Sequence, residues 1–263
     1  MAYVIPVVNQ KGGVGKTTTT VNLSTCLAMN GYRVLVIDLD PQGNCSSSFG
    51  VDKETLELHA YHLLLGQASI DQVCTATEVE GLDLIPTNMN LAGAEIELVT
   101  EMGREGRLAE ALVDLHDEYD LIFVDCPPSL GLITLNALTA ADALFVPLQC
   151  EYFALEGVSQ LLRTLELVKA RINPKIELLG VLLTMFDRRN KLSFSVQEEV
   201  QAYFGDLVFE TVIPRNVRLS ESPSHGKPIS LYDRRSSGAK AYQALAQELG
   251  ARLEELASEE TSA

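Results

Sequence analysis

The sequence predicts a doubly wound α/β domain, a mostly parallel sheet flanked by helices. Three observations carry that prediction. A glycine-rich loop, Gln10-Lys11-Gly12-Gly13-Val14-Gly15-Lys16-Thr17-Thr18, follows an apolar run (Tyr3 to Val8) and precedes a helix-like run (Thr19 to Met29). That is the strand–loop–helix order of a phosphate-binding loop. Short apolar runs bounded by turn residues alternate with helically spaced stretches along the chain, as crossover-connected parallel strands require. Two of those runs end in carboxylates, Asp38 and Asp125, at the strand ends where open α/β sheets bind ligands.

The elements follow in order. Arg33 to Asp38 (RVLVID), bounded by Gly31 and Pro41, reads as a buried parallel strand. Asp40-Pro41-Gln42-Gly43-Asn44 reads as a loop, with a small, polar stretch from Cys45 to Gly50 after it. Thr55 to Leu65 is expected as a short helix, Leu82 to Pro86 as a strand, and Leu91 to Val99 and Arg104 to His116 as helices. Leu121 to Asp125 (LIFVD) is a strand ending in a carboxylate, followed by the stiff turn Cys126-Pro127-Pro128-Ser129. Ile133 to Ala140 is a helix, Ala143 to Leu148 a strand, and Ala154 to Ile172 a long helix stopped by Asn173-Pro174. Then come a strand (Ile176 to Met185), a helix (Phe194 to Phe204), and a short strand (Phe209 to Ile213) running into Pro214-Arg215-Asn216. A helix from Ser236 to Leu256 closes the chain, so residues 1–257 make one domain and Ser258 to Ala263 a frayed tail.

At 263 residues, 46% of them hydrophobic, the chain can bury a substantial core. No apolar run approaches the roughly 20 residues that span a bilayer, and no basic-then-apolar leader is visible, so the expected location is cytoplasmic. Five cysteines without paired spacing argue against a zinc site or a disulfide framework. The net charge of −16 argues against general nucleic-acid binding. Val181 to Lys240, however, carries nine Lys/Arg against seven Asp/Glu, a balance of +2, which leaves −18 for the rest. An acidic body with one locally basic region can still hold DNA there, with strong salt dependence.

The loop carries the chemistry. Its glycines let successive N–H groups curl around one anion, the following helix adds its positive end, Lys16 supplies a charge for the outer phosphates, and Thr17 a hydroxyl for Mg²⁺. The loop departs from the standard pattern: Gln10 stands where a glycine belongs, and a second lysine, Lys11, sits beside Gly12. Two lysines are more charge than one nucleotide requires. Asp125 is placed as a Mg²⁺-facing carboxylate. Asp40 is placed to orient a water for attack on a γ-phosphate, and Asp38 to hold Mg²⁺ through water. Asp38 reads also as a plain capping or loop carboxylate.

KGGVGKTT with Lys11, DLDPQGN (Asp38 to Asn44) and IFVDCPPSLG (Ile122 to Gly131) resemble the deviant-Walker ATPases, a branch of the P-loop NTPases. QCEYFALEG (Gln149 to Gly157), GVLLTMFD (Gly180 to Asp187) and VIPRNVRLSESPSHGKPI (Val212 to Ile229) resemble its chromosomal ParA/Soj members, over about Val4 to Ala246. The resemblance implies a Mg²⁺-dependent ATPase that forms an ATP-sandwich homodimer. In it Lys11 reaches the partner subunit's phosphates, a small Gly12 lies at the interface, Thr17 carries Mg²⁺, and Asp40 activates water. Gly13, Val14, Gly15, Lys16 and Thr18 complete the nucleotide loop, and Pro214 and Asn216 match the adenine-contacting segment. Arg189 and Arg218 match positions used for non-specific DNA binding; by themselves they read as solvated surface arginines. Arg188, Arg215, Lys227, Arg234 and Arg235 are weaker candidates for the same surface. The implied partner is a ParB/Spo0J-like centromere-binding protein with a basic tail, and the implied location the nucleoid.

Two other classes fit the sequence less well. A MinD-like membrane-cycling ATPase needs a basic amphipathic C-terminal helix, whereas Ala244 to Ala257 sets Glu248, Glu254 and Glu255 against Arg252, and Glu259 and Glu260 follow. An iron-protein-like role needs cluster-ligating cysteines, and Cys126 does not match them.

Overall fold

The computed structural model describes residues 2–115, 118–151 and 154–262. Seven strands form one sheet: β1 (Tyr3–Val7), β2 (Val34–Asp38), β3 (Thr75–Ala76), β4 (Leu82–Ile85), β5 (Leu121–Asp125), β6 (Ala143–Gln149) and β7 (Glu177–Thr184), in the order β3-β4-β2-β5-β1-β6-β7. Every neighbouring pair is parallel except β3–β4. The expected doubly wound α/β fold is therefore what the chain adopts.

Alternation within the strands sorts two cores, one on each face of the sheet. From β5, Leu121 and Phe123 join Ile5, Val7, Val36 and Phe145 on the face covered by the helices Lys16–Met29 and Ser237–Ser262. Ile122 and Val124 join Val4, Leu35, Ile37 and Val146 on the other face, under the helices Leu91–Leu98, Arg107–Leu112 and Leu132–Ala140. A strand buried on both faces reads as a continuous apolar run, which is how these strands look in sequence.

Register sets the functional edge. Val7 lies opposite Asp125, and Asp38 opposite the same Asp125. The carboxyl ends of β1, β2 and β5 therefore finish level, and whatever follows them is gathered at one place.

Several expectations need correction. The helix expected over Thr55 to Leu65 is only Ala60–Leu64, because Asp52 holds its preceding residues in a turn through Glu54 N–H and the Thr55 hydroxyl. Arg107–Leu112 and a 3₁₀ turn, Val113–Leu115, replace the helix expected over Arg104 to His116, whose end lies outside the described residues. Phe209 to Ile213 forms no strand. Only its ends reach β7, where the Phe209 and Ile213 N–H groups donate to Val181 O (3.0 Å) and Leu183 O (2.9 Å), with isolated pairings at the flanking Val208 and Pro214. The N–H groups of Glu210 and Thr211 go instead to the Glu248 carboxylate, at 2.7 and 3.0 Å. The loop after Pro41 continues into a short helix, Asn44–Ser48, and the last helix runs on to Ser262. The antiparallel edge strand β3 and the short helices Ile70–Val73, Val217–Glu221 and Ile229–Tyr232 were not anticipated.

Candidate phosphate and metal site

Gly15 caps the helix Lys16–Met29 with φ 94°, and Gly13 has φ 77°. Both lie in the left-handed region, where a side chain is strained. Asn9 splints the loop's entry: its side-chain amide donates to Pro147 O (2.8 Å) and its carbonyl accepts from Lys11 N (2.9 Å). On the far side the Thr184 hydroxyl donates to Val14 O at 2.8 Å. Among the described residues nothing accepts from the N–H groups of Gly12 to Gly15, so these donors stand unspent beside a helix N-terminus. That arrangement fits a phosphate.

Lys16 is buried, and its ammonium donates to Lys11 O at 3.3 Å. Burial lowers its pKa, while Asp125 beside it pulls the other way. The Thr17 hydroxyl donates to Asp125 Oδ2 at 2.7 Å, and the Thr20 hydroxyl lies 3.3 Å from Oδ1. A hydroxyl and a fully buried carboxylate in contact at a strand end are a donor set suited to Mg²⁺. Burial and the neighbouring Asp38 push the Asp125 carboxyl well above its ordinary range; a cation there would relieve the carboxylate.

Asp38 is fully buried and occupied. Its oxygens accept from Asp40 N (3.1 Å), Ser46 N (2.8 Å) and the Ser46 hydroxyl (2.7 Å). Ser46 Oγ in turn accepts from Thr87 N at 2.9 Å. Asp38 thus braces the loop that carries Asp40 and ties it to the segment after β4. Asp40, half-buried, uses Oδ1 to accept from Gln42 N.

Lys11 is exposed, and its ammonium pairs with Glu151 of its own chain. Both partners are over 40% exposed, and such pairs are worth about 0–1 kcal/mol, so this lysine is easily released. A cleft of about 380 Å³ next to the loop is lined by Gly15, Thr184, Met185, Pro214, Asn216 and Tyr242, among others. Met185 is the one described non-glycine residue with positive φ, 51°, and such strain concentrates at ligand sites. Asn216 is committed through its side chain, accepting from Arg218 N and donating to Ser237 Oγ.

The site therefore gathers Lys11 to Thr18, Asp38, Asp40 and Asp125, with Pro214 and Asn216 at the adjoining cleft. Arg189 and Arg218 are not among the residues lining that cleft. Arg189 makes two 3.0 Å bonds to Asp187, holding that carboxyl down at about 2. Arg218 pairs with Glu221 at 2.8 Å and Asp233 at 3.5 Å. Sequence reasoning missed Asn9, Ser46, Thr87 and Thr184. Only Asn9 and Thr184 carried a signal, each lying in or against a segment already singled out.

A family model described as an AAA domain matches residues 2–178. The sporulation initiation inhibitor protein Soj of Bacillus subtilis is 56% identical over 95% of this chain and 99% of its own length. The chromosome partitioning protein ParA of Caulobacter vibrioides is 52% identical, over 94% and 93%. The chain belongs to the ParA/Soj family of chromosome-partitioning ATPases. Among solved structures, one described as cobyrinic acid a,c-diamide synthase from Mycobacterium smegmatis, with bound ADP and magnesium, is 42% identical with a TM-score of 0.82, covering 94% of this ParA/Soj chain and 93% of its own. Its printed name concerns another activity, but its bound molecules match the chemistry of the loop.

Proposed function

We propose that this ParA/Soj protein is an ATP-driven DNA-segregating ATPase. It binds ATP and Mg²⁺ at the loop, dimerises around the nucleotide, and lies on DNA without sequence preference. A ParB/Spo0J-like centromere-binding partner triggers hydrolysis and release. The observation that carries the reading is Lys11: an exposed lysine at the mouth of a phosphate cradle, held only by a surface ion pair that a second subunit's phosphates can displace.

In this reading the amides of Gly12 to Thr18 and the Lys16 ammonium hold the phosphates. Thr17 and Asp125 hold Mg²⁺, which when bound neutralises charge developing on the transferred phosphoryl group. Asp38 serves the metal end indirectly, by fixing the loop from beneath. Asp40 accepts a proton from, and aims, the attacking water. Pro214 and Asn216 border the base. Lys11 acts in trans like an arginine finger, a device worth about 10³–10⁵ in rate. Arg189 and Arg218 contribute to the DNA surface, and the protein works in the cytoplasm on the nucleoid.

A membrane-cycling role finds no support in the last helix. Arg252 stacks 4.3 Å over Phe209 and donates to Leu179 O and Asp206 O, while Leu249, Leu253 and Leu256 pack on the sheet. The test is retention of a non-specific duplex with ATP, ADP or no nucleotide. Binding with ATP alone supports the proposal; no binding in any state, with binding to anionic vesicles, would reverse it.

A further inference from the structure

We infer that Lys53 is a positioning residue for ATP hydrolysis: its ammonium clamps the turn that carries Asp40 and so fixes where that carboxylate points. This rests on the role given to Asp40 above and names the group that holds it in place.

Asp40 to Gly43 forms a tight turn. The Gly43 N–H donates to Asp40 O at 2.8 Å, and the Gln42 N–H donates to Asp40 Oδ1 at 3.0 Å. The second bond sets the direction of the carboxylate, so Gln42 and the Asp40 side chain move together. These bonds, and the one from Asp40 N–H to Asp38 Oδ1, all lie between Asp38 and Gly43. The Lys53 ammonium comes from outside the turn and donates to Gln42 O at 2.6 Å. Gln42 also reaches outward through its side-chain amide, but only to Met89 Sδ at 3.8 Å, and a thioether is a weak acceptor.

The fold makes room for this lysine and aims it. Gly43 has φ 61°, and a Cβ there would stand 2.4 Å from Lys53 Cδ, so the missing side chain is the space that the lysine stem crosses. At its own end Lys53 sits in a turn closed by the Thr55 N–H on Asp52 O at 3.3 Å, and its carbonyl accepts from the Asn88 side-chain amide at 3.4 Å. Lys53 therefore ties the turn after β2 to the segment after β4. Its charge is spent on a carbonyl: no ion pair joins Lys53 among the described residues, in a chain with 36 acidic residues. A bond from a charged donor is stronger than one between neutral groups.

Without the ammonium the Gln42 carbonyl is free to turn, and the Asp40 carboxylate swings with the Gln42 N–H. A misplacement of about 1 Å costs about 10²-fold in rate. The phosphate loop, Lys11 to Thr18, does not use Lys53, so the loss falls on turnover rather than on ATP binding.

The test is steady-state phosphate release by the full chain with Mg²⁺ across a range of ATP concentrations. Lys53→Met keeps the stem and drops the donors. It is expected to lower kcat about tenfold to a hundredfold, with KM within about twofold and the melting temperature unchanged. Lys53→Arg, which restores a charged donor, is expected to recover most of the lost kcat. In an Asp40→Ala background Lys53→Met is expected to change kcat by less than about twofold, because residues that act as a unit are not additive. Wild-type kcat in Lys53→Met beside a deficient Asp40→Ala would overturn the clamp alone. So would equal loss in Lys53→Arg, a further loss in the Asp40→Ala background, or a loss explained by a raised KM or a lowered melting temperature. Normal turnover by Asp40→Ala would remove the role of Asp40, and the clamp with it.

Discussion

Ser46→Ala removes one hydroxyl and takes a bond from each of two buried groups. Asp38 Oδ2 loses a 2.7 Å bond, and the Thr87 N–H loses its 2.9 Å acceptor. All three residues are fully buried, so water does not replace what is lost. A neutral bond is worth about 1 kcal/mol and one to a charged group about 1.5–3 kcal/mol. The expected loss is therefore about 3 kcal/mol, or about 6–12 °C in melting temperature for a chain of this size. Ser48→Ala is the internal control. It is buried on the same short helix, but among the described residues its hydroxyl bonds only Asn44 O at 2.7 Å, a contact within the helix, and its loss should cost less than about 1 kcal/mol. Urea unfolding of both nucleotide-free variants, followed by far-UV circular dichroism, measures the difference. Since the Asp40 loop rests on Asp38, Ser46→Ala should also lower ATP turnover more than ATP binding. Equal midpoints for the two variants, or a loss below about 0.5 kcal/mol for Ser46→Ala, would refute the brace.

Burial raises the Asp38 carboxyl to about 6, above its unfolded value, so the folded chain holds the extra proton between about pH 4 and 6. The contribution is present at the acid end and is lost as pH rises through about 6, on the order of 2–3 kcal/mol; comparing Asp38→Asn with wild type across that range should show the wild-type slope flattened. Lys16→Ala should abolish ATP binding by equilibrium dialysis, and retention of normal affinity would remove Lys16 from the phosphate site. Asp40→Ala should hold an ATP-bound dimer by light scattering, with turnover down by at least about tenfold; monomer alone under ATP and Mg²⁺ would count against its role. A Cβ at Gly180 would stand 2.4 Å from the Phe209 ring and 2.7 Å from the Arg252 guanidinium, so Gly180→Ala should cost about 1–3 kcal/mol through overpacking, read from the unfolding midpoint.

Much of the site was legible because it is local. The loop needs its glycines, lysines and threonines within nine consecutive residues, and their order after a strand and before a helix is a property of the chain. Strand ends that finish in Asp38 and Asp125 were visible for the same reason. Less local features were not. Phe209 to Ile213 has the composition of a strand, yet a glutamate 37 to 38 residues later takes two of its central donors. Arg189 and Arg218 stand in a basic segment, and only folded geometry reveals their pairing with Asp187, Glu221 and Asp233.

The sequence alone determined that this protein curls a backbone around a phosphate and sets carboxylates at strand ends, since glycine freedom, apolar periodicity and motif order act over a few residues. The tertiary structure decided how those carboxylates divide their work. Parallel register sets Asp38 level with Asp125; Ser46, itself fixed by the Thr87 N–H, bonds the first and makes it a brace, while the second meets the Thr17 hydroxyl beside the glycine-rich loop. Such roles follow from which buried donors reach which oxygen, and the partners lie as far as 108 residues apart.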